Sequence, residues 1–343
     1  MVDRVRVADL IGGAGVLAVD DEGRPQPALI VVDLDGQDWD DETLVQAAAD
    51  ALGARTPVIV GVSSVVLPGQ AARLLDAMTV TLAPGGPGRS WVAADESALG
   101  AIRVTVRGAP YAAVTLAGML PVTARSSVAD GLVVESLAYS MLLAGPEFMA
   151  WRARTPAGPV PLDDEPVLLR RDGEVLSVVL NRPDRHNAFG RAVRDLLLDA
   201  LELGAADDTI RTIVLTGNGR SFCSGGDLDE FGTSPGVAAA HLVRLRQSAG
   251  YAVHRARDKV RAVVHGACIG AGVEVPAFAA RVEVRDGAWF MLPELSMGLV
   301  PGAGGTVSIT HRIGPARMAY MALTGHRIDL ATALAWGLVD ARA

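Results

Sequence analysis

The stretch GACIGAGVEVPAFAA (266–280) is a run of small and apolar residues that contains a single carboxylate, Glu274. It overlaps the end of VRAVVHGA (260–267), whose β-branched residues predict a strand, and its glycines predict a tight turn into a helix. Removing an ionised group from water without a partner costs several kcal/mol. Glu274 therefore either reaches solvent or a neighbouring group, or it is held in a pocket for a chemical purpose.

The composition restricts the classes of function. Of the 343 residues 50% are hydrophobic and the formal net charge is −8, so a large core is expected and a nucleic-acid partner is not. Cys223 and Cys268 are too few for a disulfide framework and lack metal-ligand spacing, so no metal site is predicted. No membrane span is predicted, because the apolar segment 109–124 is short and is interrupted by Pro121. Acidic residues interrupt any N-terminal signal peptide, and we expect a cytoplasmic protein.

Alternating strand and helix patterns predict an α/β fold in two domains, 1–165 and 166–343. The boundary is predicted by RARTPAGPVPLDDEPVLL (152–169), in which prolines and acidic residues break the pattern. Strands that alternate with helices predict parallel pairing, with ligands in the loops at the carboxyl ends of the strands. The predicted strands are 28–36, 56–64, 174–183, 210–219 and 260–267, and the predicted helical regions are 40–54, 98–155, 190–207 and 237–256.

Three glycine-rich loops follow predicted strands and carry the candidate functional residues. They are SFCSGGDLDEF (221–231), HGACIGAGVE (265–274) and FMLPELSMGLVPGAGGT (290–306). Gly225 and Gly226 let the first loop approach a ligand closely, and Asp227 suits a helix N-cap. The second loop enters a predicted helix, where free backbone N–H groups form a natural anion site.

Two sets of backbone N–H groups and two carboxylates, Glu274 and Glu294, suggest one chemical task. The N–H groups would stabilise negative charge that develops on a carbonyl oxygen, and the carboxylates would move protons. Structural readings stand beside this one. A Gly-Gly turn before a helix is mostly structural, and a glutamate in a first turn often only complements the helix dipole. The residue pattern alone leaves the function open.

Residues from about 167 to 340 resemble the crotonase, or enoyl-CoA hydratase/isomerase, superfamily. Five segments occur in that family's order and spacing: LNRPDRHNAF, IVLTGNGRSFCSGGDL, VHGACIGAGVE, FMLPELSMGLVPGAGGT and LTGHRIDLATALAWGLVD. The resemblance implies a crotonase-like catalytic domain, a spiral of ββα repeats, preceded here by a smaller α/β domain rich in helices. It also implies a lyase that hydrates an α,β-unsaturated enoyl-CoA or dehydrates a 3-hydroxyacyl-CoA.

The resemblance also implies roles for individual residues. Gly226 and Ala271 match the backbone donors that polarise the thioester carbonyl, although the family more usually has glycine at the position of Ala271. Glu274 matches the glutamate that deprotonates water, and Glu294 matches the one that protonates Cα. CoA enters as part of the substrate thioester, and no tightly bound cofactor is implied. The residues that would border CoA are Arg182, Arg185, Ala188, Ser224, Gly225, Asp227 and Leu228. Arg182 and Arg185 are equally well explained as solvated loop arginines.

Two parts of the chain depart from the family pattern. The sequence ends at GLVDARA, where typical members continue with helices that close the CoA site and support trimers. The segment 129–156 resembles those terminal helices, and residues 1–165 weakly resemble a degenerate half of the family's fold. We expect residues 108–155 to dock on the catalytic domain, from the same chain or a neighbour, in place of the terminal helices. A homotrimer or hexamer is also expected.

Two alternatives to a hydratase stay open from the sequence. One is another enolate reaction on the same scaffold, such as isomerisation, decarboxylation or cofactor-free oxygenation. The other is a non-catalytic acyl-CoA-binding partner subunit. The presence of both Glu274 and Glu294 favours the hydratase, because isomerases of the family can work with one glutamate. The same pair disfavours the non-catalytic subunit.

Overall fold

The structure is a computed structural model that describes residues 4–53, 57–160 and 165–343. The adjoining ends of the predicted helix 40–54 and strand 56–64, and the middle of the predicted boundary 152–169, lie outside these ranges. The boundary between domains at 165 and 166 stays a prediction.

The N-terminal part is built on a five-stranded sheet in which every pair is parallel, in the order β1-β4-β5-β6-β7. Along β4, Ile30 and Val32 pack with α2 and α3, whereas Leu29 and Val31 face the main core of the protein. The sheet is therefore buried on both faces, as its continuous apolar strands predict. The elements of this part are β1 (Arg4–Arg6), α1 (Val7–Asp9), β2 (Ala18–Val19), β3 (Pro25–Gln26), β4 (Leu29–Asp33), α2 (Glu42–Ala51), β5 (Val58–Val62), α3 (Ala72–Ala77), β6 (Val80–Leu82) and β7 (Trp91–Val92).

Four consecutive helices follow and confirm the helical region predicted between 98 and 155. They are α4 (Glu96–Gly108), α5 (Pro110–Thr123), α6 (Val128–Leu143) and α7 (Pro146–Arg154). Side chains at two of the starts satisfy free backbone N–H groups: Asp95 accepts from Ser97 N and Ser127 accepts from Asp130 N. No single helix among the described residues is long and apolar enough to cross a bilayer; α6 and α7 meet that test only together, across a 62° bend.

The C-terminal part confirms the predicted spiral of ββα repeats. Its large sheet has the order β16-β13-β11-β10-β9-β8, parallel except for the β8–β9 hairpin, and a small sheet has the order β12-β14-β15. Strand β11 is followed by the short strand β12, and β13 by the short strand β14; β12 and β14 pair with each other in the small sheet. The strands are β8 (Val167–Asp172), β9 (Val175–Leu180), β10 (Thr212–Gly217), β11 (Val260–Val264), β12 (Ala267–Ile269), β13 (Arg281–Val284), β14 (Trp289–Met291), β15 (Ile328–Asp329) and β16 (Ala341–Arg342).

The single helix predicted at 237–256 is wrong, because the structure has two helices there. The hydroxyl of Ser248 accepts a hydrogen bond from Tyr251 N at 3.1 Å and starts a new helix, so that α9 packs on α6 and α10 packs on α8. The helices of this part are α8 (Arg191–Ala206), α9 (Val237–Arg246), α10 (Ala249–Arg255), α11 (Ala271–Glu274), α12 (Gly305–Ile313), α13 (Pro315–Thr324) and α14 (Leu330–Trp336).

The helices that precede residue 155 pack directly on the C-terminal part of the same chain. Helices α5 and α6 contact α12, α4 and α5 contact α13, and α6 also contacts α9. The side chain of Val307 on α12 lies so close to Gly131 on α6 that a Cβ on Gly131 would be 2.9 Å from Val307 Cγ2. Leu132 and Phe148 belong to the same hydrophobic core as Val307. The expected docking of residues 108–155 on the catalytic part is therefore present, within one chain.

We expect residues 166–343 expressed alone to aggregate or to lose acyl-CoA binding, because removal of α4–α7 exposes the apolar faces of α12 and α13. Light scattering and binding to an immobilised acyl-CoA analogue would measure this, with the full chain as the control. A fragment that is soluble, oligomeric and fully active would contradict the expectation.

A second expectation concerns assembly. Val133, Leu137 and Met141 recur at four-residue spacing on α6 and are exposed, and Leu242 of α9, a helix that contacts α6, is exposed as well. We expect this apolar stripe to lie in a homo-oligomer with threefold symmetry, which light scattering would measure. Leu137→Glu should weaken the oligomer, whereas Val104→Glu, at an exposed apolar position on α4, should not. A stable monomer at micromolar concentration would rule the oligomer out.

Candidate active site

Glu274 is buried at the end of the short helix α11, and only 2% of its surface is exposed. Its Oε2 accepts hydrogen bonds from the backbone N–H groups of Ala303, at 2.8 Å, and Gly305, at 2.9 Å. Burial raises the pKa of Glu274 to about 7, although the two hydrogen bonds act in the opposite direction and lower it. Near neutral pH this carboxyl group therefore holds and releases a proton readily.

Glu294 follows β14 and is also buried. Its Oε2 has no hydrogen-bond partner among the described residues. Burial, and then the negative charge of Glu274, raise the pKa of Glu294 well above its ordinary value. Two buried carboxyl groups in one site do not ionise together readily, so the pair retains a proton more easily than two separate glutamates would.

The two carboxylates face the same glycine. A Cβ on Gly270 would lie 2.5 Å from Oε1 of Glu294 and 3.7 Å from Oε1 of Glu274. Gly270 also has a φ of +49°, which L side chains rarely adopt. A side chain at this position would occupy the space between the two carboxylates, so glycine keeps that space open.

Two residues that line the same cavity, Gly226 and Ala271, have backbone N–H groups without a protein acceptor in the described chain. Phe189 and Gly226 form a parallel β-bridge, in which Phe189 N–H donates to Gly225 O and Asp227 N–H donates to Phe189 O. The N–H of Gly226, between these two bonds, therefore points away from Phe189. Ala271 begins α11, where the N–H has no partner within the helix. Within the described chain neither N–H donates to a protein acceptor, and both residues line the cavity. Alanine at 271, in place of the family's more usual glycine, leaves this N–H available.

Arg182 and Asp227, two of the predicted CoA residues, form a buried ion pair with each other. The side chain of Arg182 is 4% exposed, and its Nη1 lies 3.0 Å from Asp227 Oδ2 and donates to Ala188 O at 2.9 Å. Arg185 Nη2 lies 2.9 Å from the other oxygen of Asp227. Asp227 is therefore an ion-pair partner that ties two loops together. It does not cap a helix, since the next helix begins at Val237. Arg182 is therefore not a solvated loop arginine, and its contact with CoA, like that of Asp227, stays a prediction.

The other predicted CoA residues lie along the same two loops. Arg185 and Ser224 are partly exposed and Leu228 is exposed, whereas Ala188 is buried. Gly225 packs against the second loop, where its Cβ would lie 3.1 Å from Ile269 O. The contacts of these five residues with CoA stay predictions.

A cavity of about 490 Å³ connects these groups and draws its walls from both parts of the chain. Glu274, Glu294, Gly226 and Ala271 line it. Helix α6 also contributes several lining residues: Leu132, Glu135, Ser136, Tyr139 and Leu143. The site therefore includes a helix that precedes the predicted catalytic domain.

Sequence reasoning missed Glu135 as a site residue. It is buried on α6, and burial, then the charge of Glu274, raise its pKa to about 8. The signal was present in GLVVESLAYS (131–140), where Glu135 is the single carboxylate of an apolar run. The same reasoning that selected Glu274 therefore applies to it. What sequence could not show is that α6 lies over the glycine-rich loops.

The C-terminal part of the chain is similar to known proteins. A family model described as enoyl-CoA hydratase/isomerase matches residues 170–342. The 2,3-dehydroadipyl-CoA hydratase of Escherichia coli (strain K12) is 34% identical over 174 residues, 51% of this chain and 68% of that protein. The 1,2-epoxyphenylacetyl-CoA isomerase of the same strain is 32% identical over 169 residues, 48% of this chain and 64% of that protein.

Among solved structures, the enoyl-CoA hydratase from Thermoplasma volcanium GSS1 is 31% identical, with a TM-score of 0.48, over 52% of this chain and 71% of that one. The residues before 170 lie outside the family match, whereas Glu274, Glu294 and the three glycine-rich loops lie inside it. Because the family model matches half of the chain and the first relative shares 34% identity over two thirds of its own length, the chain belongs to the enoyl-CoA hydratase/isomerase family, the crotonase superfamily.

Proposed function

We propose that the protein adds water to an α,β-unsaturated enoyl-CoA thioester, or removes water from the corresponding 3-hydroxyacyl-CoA. The observation that carries the proposal is the pair of buried carboxyl groups, Glu274 and Glu294, facing one glycine beside two free backbone N–H groups. The pKa values of both groups are raised, and two such carboxyl groups share a proton, so that one can act as the base while the other acts as the acid.

In the proposed reaction the thioester oxygen accepts hydrogen bonds from Gly226 N–H and Ala271 N–H. Glu274 takes a proton from water as the water oxygen forms its bond to Cβ, and the electron pair of the double bond moves toward the thioester oxygen. The two N–H groups stabilise the resulting enolate, for which loss of one donor typically costs roughly 10²–10³ in rate. Glu294 then gives its proton to Cα, and the reverse sequence dehydrates the product.

This division of roles predicts how the rate depends on pH. Glu274 must be ionised, so kcat/KM rises as the pH passes its pKa of about 7. Glu294 must be protonated, so kcat/KM falls at higher pH, where that proton is lost. The profile is therefore bell-shaped.

The proposed path of CoA runs over the loops at 182–189 and 224–228. Arg185 and Leu228 are accessible there, and Arg185 is close enough to the loop surface to meet a phosphate while it pairs with Asp227 and Asp229. Arg182 supports this path indirectly, because its buried ion pair with Asp227 holds the two loops in register.

A panel of enoyl-CoA thioesters tests the proposal. A hydratase removes the enone absorbance and adds the mass of one water to the product. Isomerisation of the double bond leaves the mass unchanged, and decarboxylation lowers it. Tight acyl-CoA binding without turnover of any substrate would support the non-catalytic subunit instead. One of the relatives is named as an isomerase of an epoxide, 1,2-epoxyphenylacetyl-CoA. An isomerase reaction, which leaves the mass of the substrate unchanged, is therefore the main competing result.

We expect Glu274→Gln and Glu294→Gln each to lower kcat by at least about a hundredfold, because general acid–base groups contribute roughly 10²–10⁴. Affinity for a CoA thioester should change little, since glutamine keeps the shape of the pocket. Stopped-flow turnover and equilibrium binding would measure the two quantities. Glu202→Gln, at an exposed position on α8, is the matched control. Near-normal hydration by either active-site variant would show the two-glutamate mechanism to be wrong.

A further inference from the structure

Helix α6 brings a third carboxylate, Glu135, to the cavity wall from the part of the chain that precedes the family match. Its side chain is buried, and burial of a carboxylate carries a desolvation cost that must be offset locally. The proposed reaction uses Glu274 and Glu294 only. Glu135 therefore needs a separate explanation.

Glu135 and Glu274 bind alternate N–H groups of one backbone turn, residues 303–306. Glu274 accepts hydrogen bonds from the first and third of these groups, the N–H groups of Ala303 and Gly305. Glu135 accepts hydrogen bonds from the second and fourth N–H groups: Gly304 N–H donates to its Oε1 at 2.7 Å, and Thr306 N–H donates to its Oε2 at 3.0 Å. The hydroxyl of Thr306 also donates to Oε2, at 2.7 Å.

This alternation couples the two carboxylates mechanically. Consecutive peptide units are joined covalently and are planar, so moving the second or fourth N–H also moves the first and third. Glu135 holds the turn from the side of α6, and Glu274 holds it from α11. Loss of one set of hydrogen bonds therefore loosens the donors that orient the other carboxylate.

We propose, building on the proposed function, that Glu135 is a positioning residue for the reaction. It fixes the 303–306 turn that orients Glu274, and its charge influences how protons are shared by Glu274 and Glu294. Helix α6 is thereby part of the active site and not only its cover.

The surroundings of Glu135 support an electrostatic role. The titratable and charged groups that face it are Glu274 and Glu294 from the catalytic loops, Tyr139 from its own helix and Arg244 from α9. Other titratable groups on the packed helices are directed elsewhere: His241 of α9 bonds Ser136, and His311 of α12 bonds Thr123 O. When Glu135 ionises, its charge raises the pKa of Glu294.

The first test is Glu135→Gln, which keeps the size of the side chain and removes its charge. We expect kcat to fall roughly ten- to a hundredfold, as for other small displacements of reacting groups, with KM little changed. We also expect the alkaline limb of the kcat/KM profile to move to lower pH. Without a negative charge beside it, Glu294 loses its proton more easily.

Glu147→Gln is the matched control. Glu147 also accepts two backbone N–H groups at the start of a helix, from Tyr111 at 2.7 Å and Ala112 at 3.1 Å, but it does not line the cavity. We expect this variant to lower the melting temperature without moving either limb of the pH profile. If Glu135→Gln behaves in the same way, Glu135 is only a structural cap and the proposal is overturned.

Thr306→Val keeps the test decisive if Glu135→Gln does not fold. It removes the hydroxyl that favours the charged form of Glu135, and it leaves all three carboxylates in place. Glu135 then ionises at higher pH, so we expect a smaller shift of the alkaline limb in the same direction. An unshifted limb in this variant would also overturn the proposal.

Infrared difference spectroscopy separates this proposal from the proposed function. Titration of the protonated-carboxyl band needs no turnover, so it can be followed even if no enoyl-CoA is hydrated. In Glu135→Gln we expect loss of a carboxyl that titrates near pH 8 and a downward shift of those that remain. If the remaining carboxyls titrate as in the wild type, Glu135 has no influence on them, whatever the substrate.

Discussion

Burial of three carboxylates in one cavity is the constraint on which the rest of the site depends. Glu135, Glu274 and Glu294 are all nearly inaccessible to solvent, and their mutual repulsion adds to the cost of burial. The protein offsets part of that cost with the free N–H groups at the start of α12, which Glu135 and Glu274 share. Retained protons offset more of it, which is why burial raises all three pKa values.

The glycine-rich loops follow from the same constraint. A carboxylate that accepts two N–H groups of one backbone turn must lie against the backbone itself. At Gly305 a Cβ would be 2.6 Å from Glu274 Cγ, and at Gly270 it would be 2.5 Å from Glu294 Oε1. These glycines are thus required by the close approach of the carboxylates. A substitution at either position would push a carboxylate out of the geometry that the proposed reaction needs.

The walls of the active-site cavity include residues outside the segment that matches the family. Residues 170–342 supply the two glutamates and the backbone donors, whereas α6 supplies further lining residues, among them Glu135, the second carboxylate that binds the 303–306 turn. The hydrophobic core is likewise continuous between the two parts, from the N-terminal sheet through α4–α6 to α12 and α13. The N-terminal part is therefore integrated with the site by packing and by hydrogen bonds.

Local sequence was sufficient for the pieces of the site that depend on short-range pattern. Apolar periodicity predicted most strands and helices, and the spacing of glycines and glutamates indicated the three loops and the pair Glu274 and Glu294. These features are local because they arise from backbone preferences and from residues a few positions apart. The helix break at Ser248 was missed because a serine cap competes only weakly with a continuing helical pattern.

Tertiary structure alone decided which groups meet. Arg182 was a solvated or phosphate-binding candidate in the sequence, and its ion pair with Asp227, 45 residues away, made it part of the interior. In the sequence Glu135 is only a glutamate on an apolar helix. In the structure α6 packs over a turn much later in the chain, and Glu135 binds Gly304, 169 residues away, and Thr306, 171 residues away. Such contacts depend on how whole elements pack, because burial and the charge of distant neighbours, not the residue's own type, determine what a carboxylate or an arginine does.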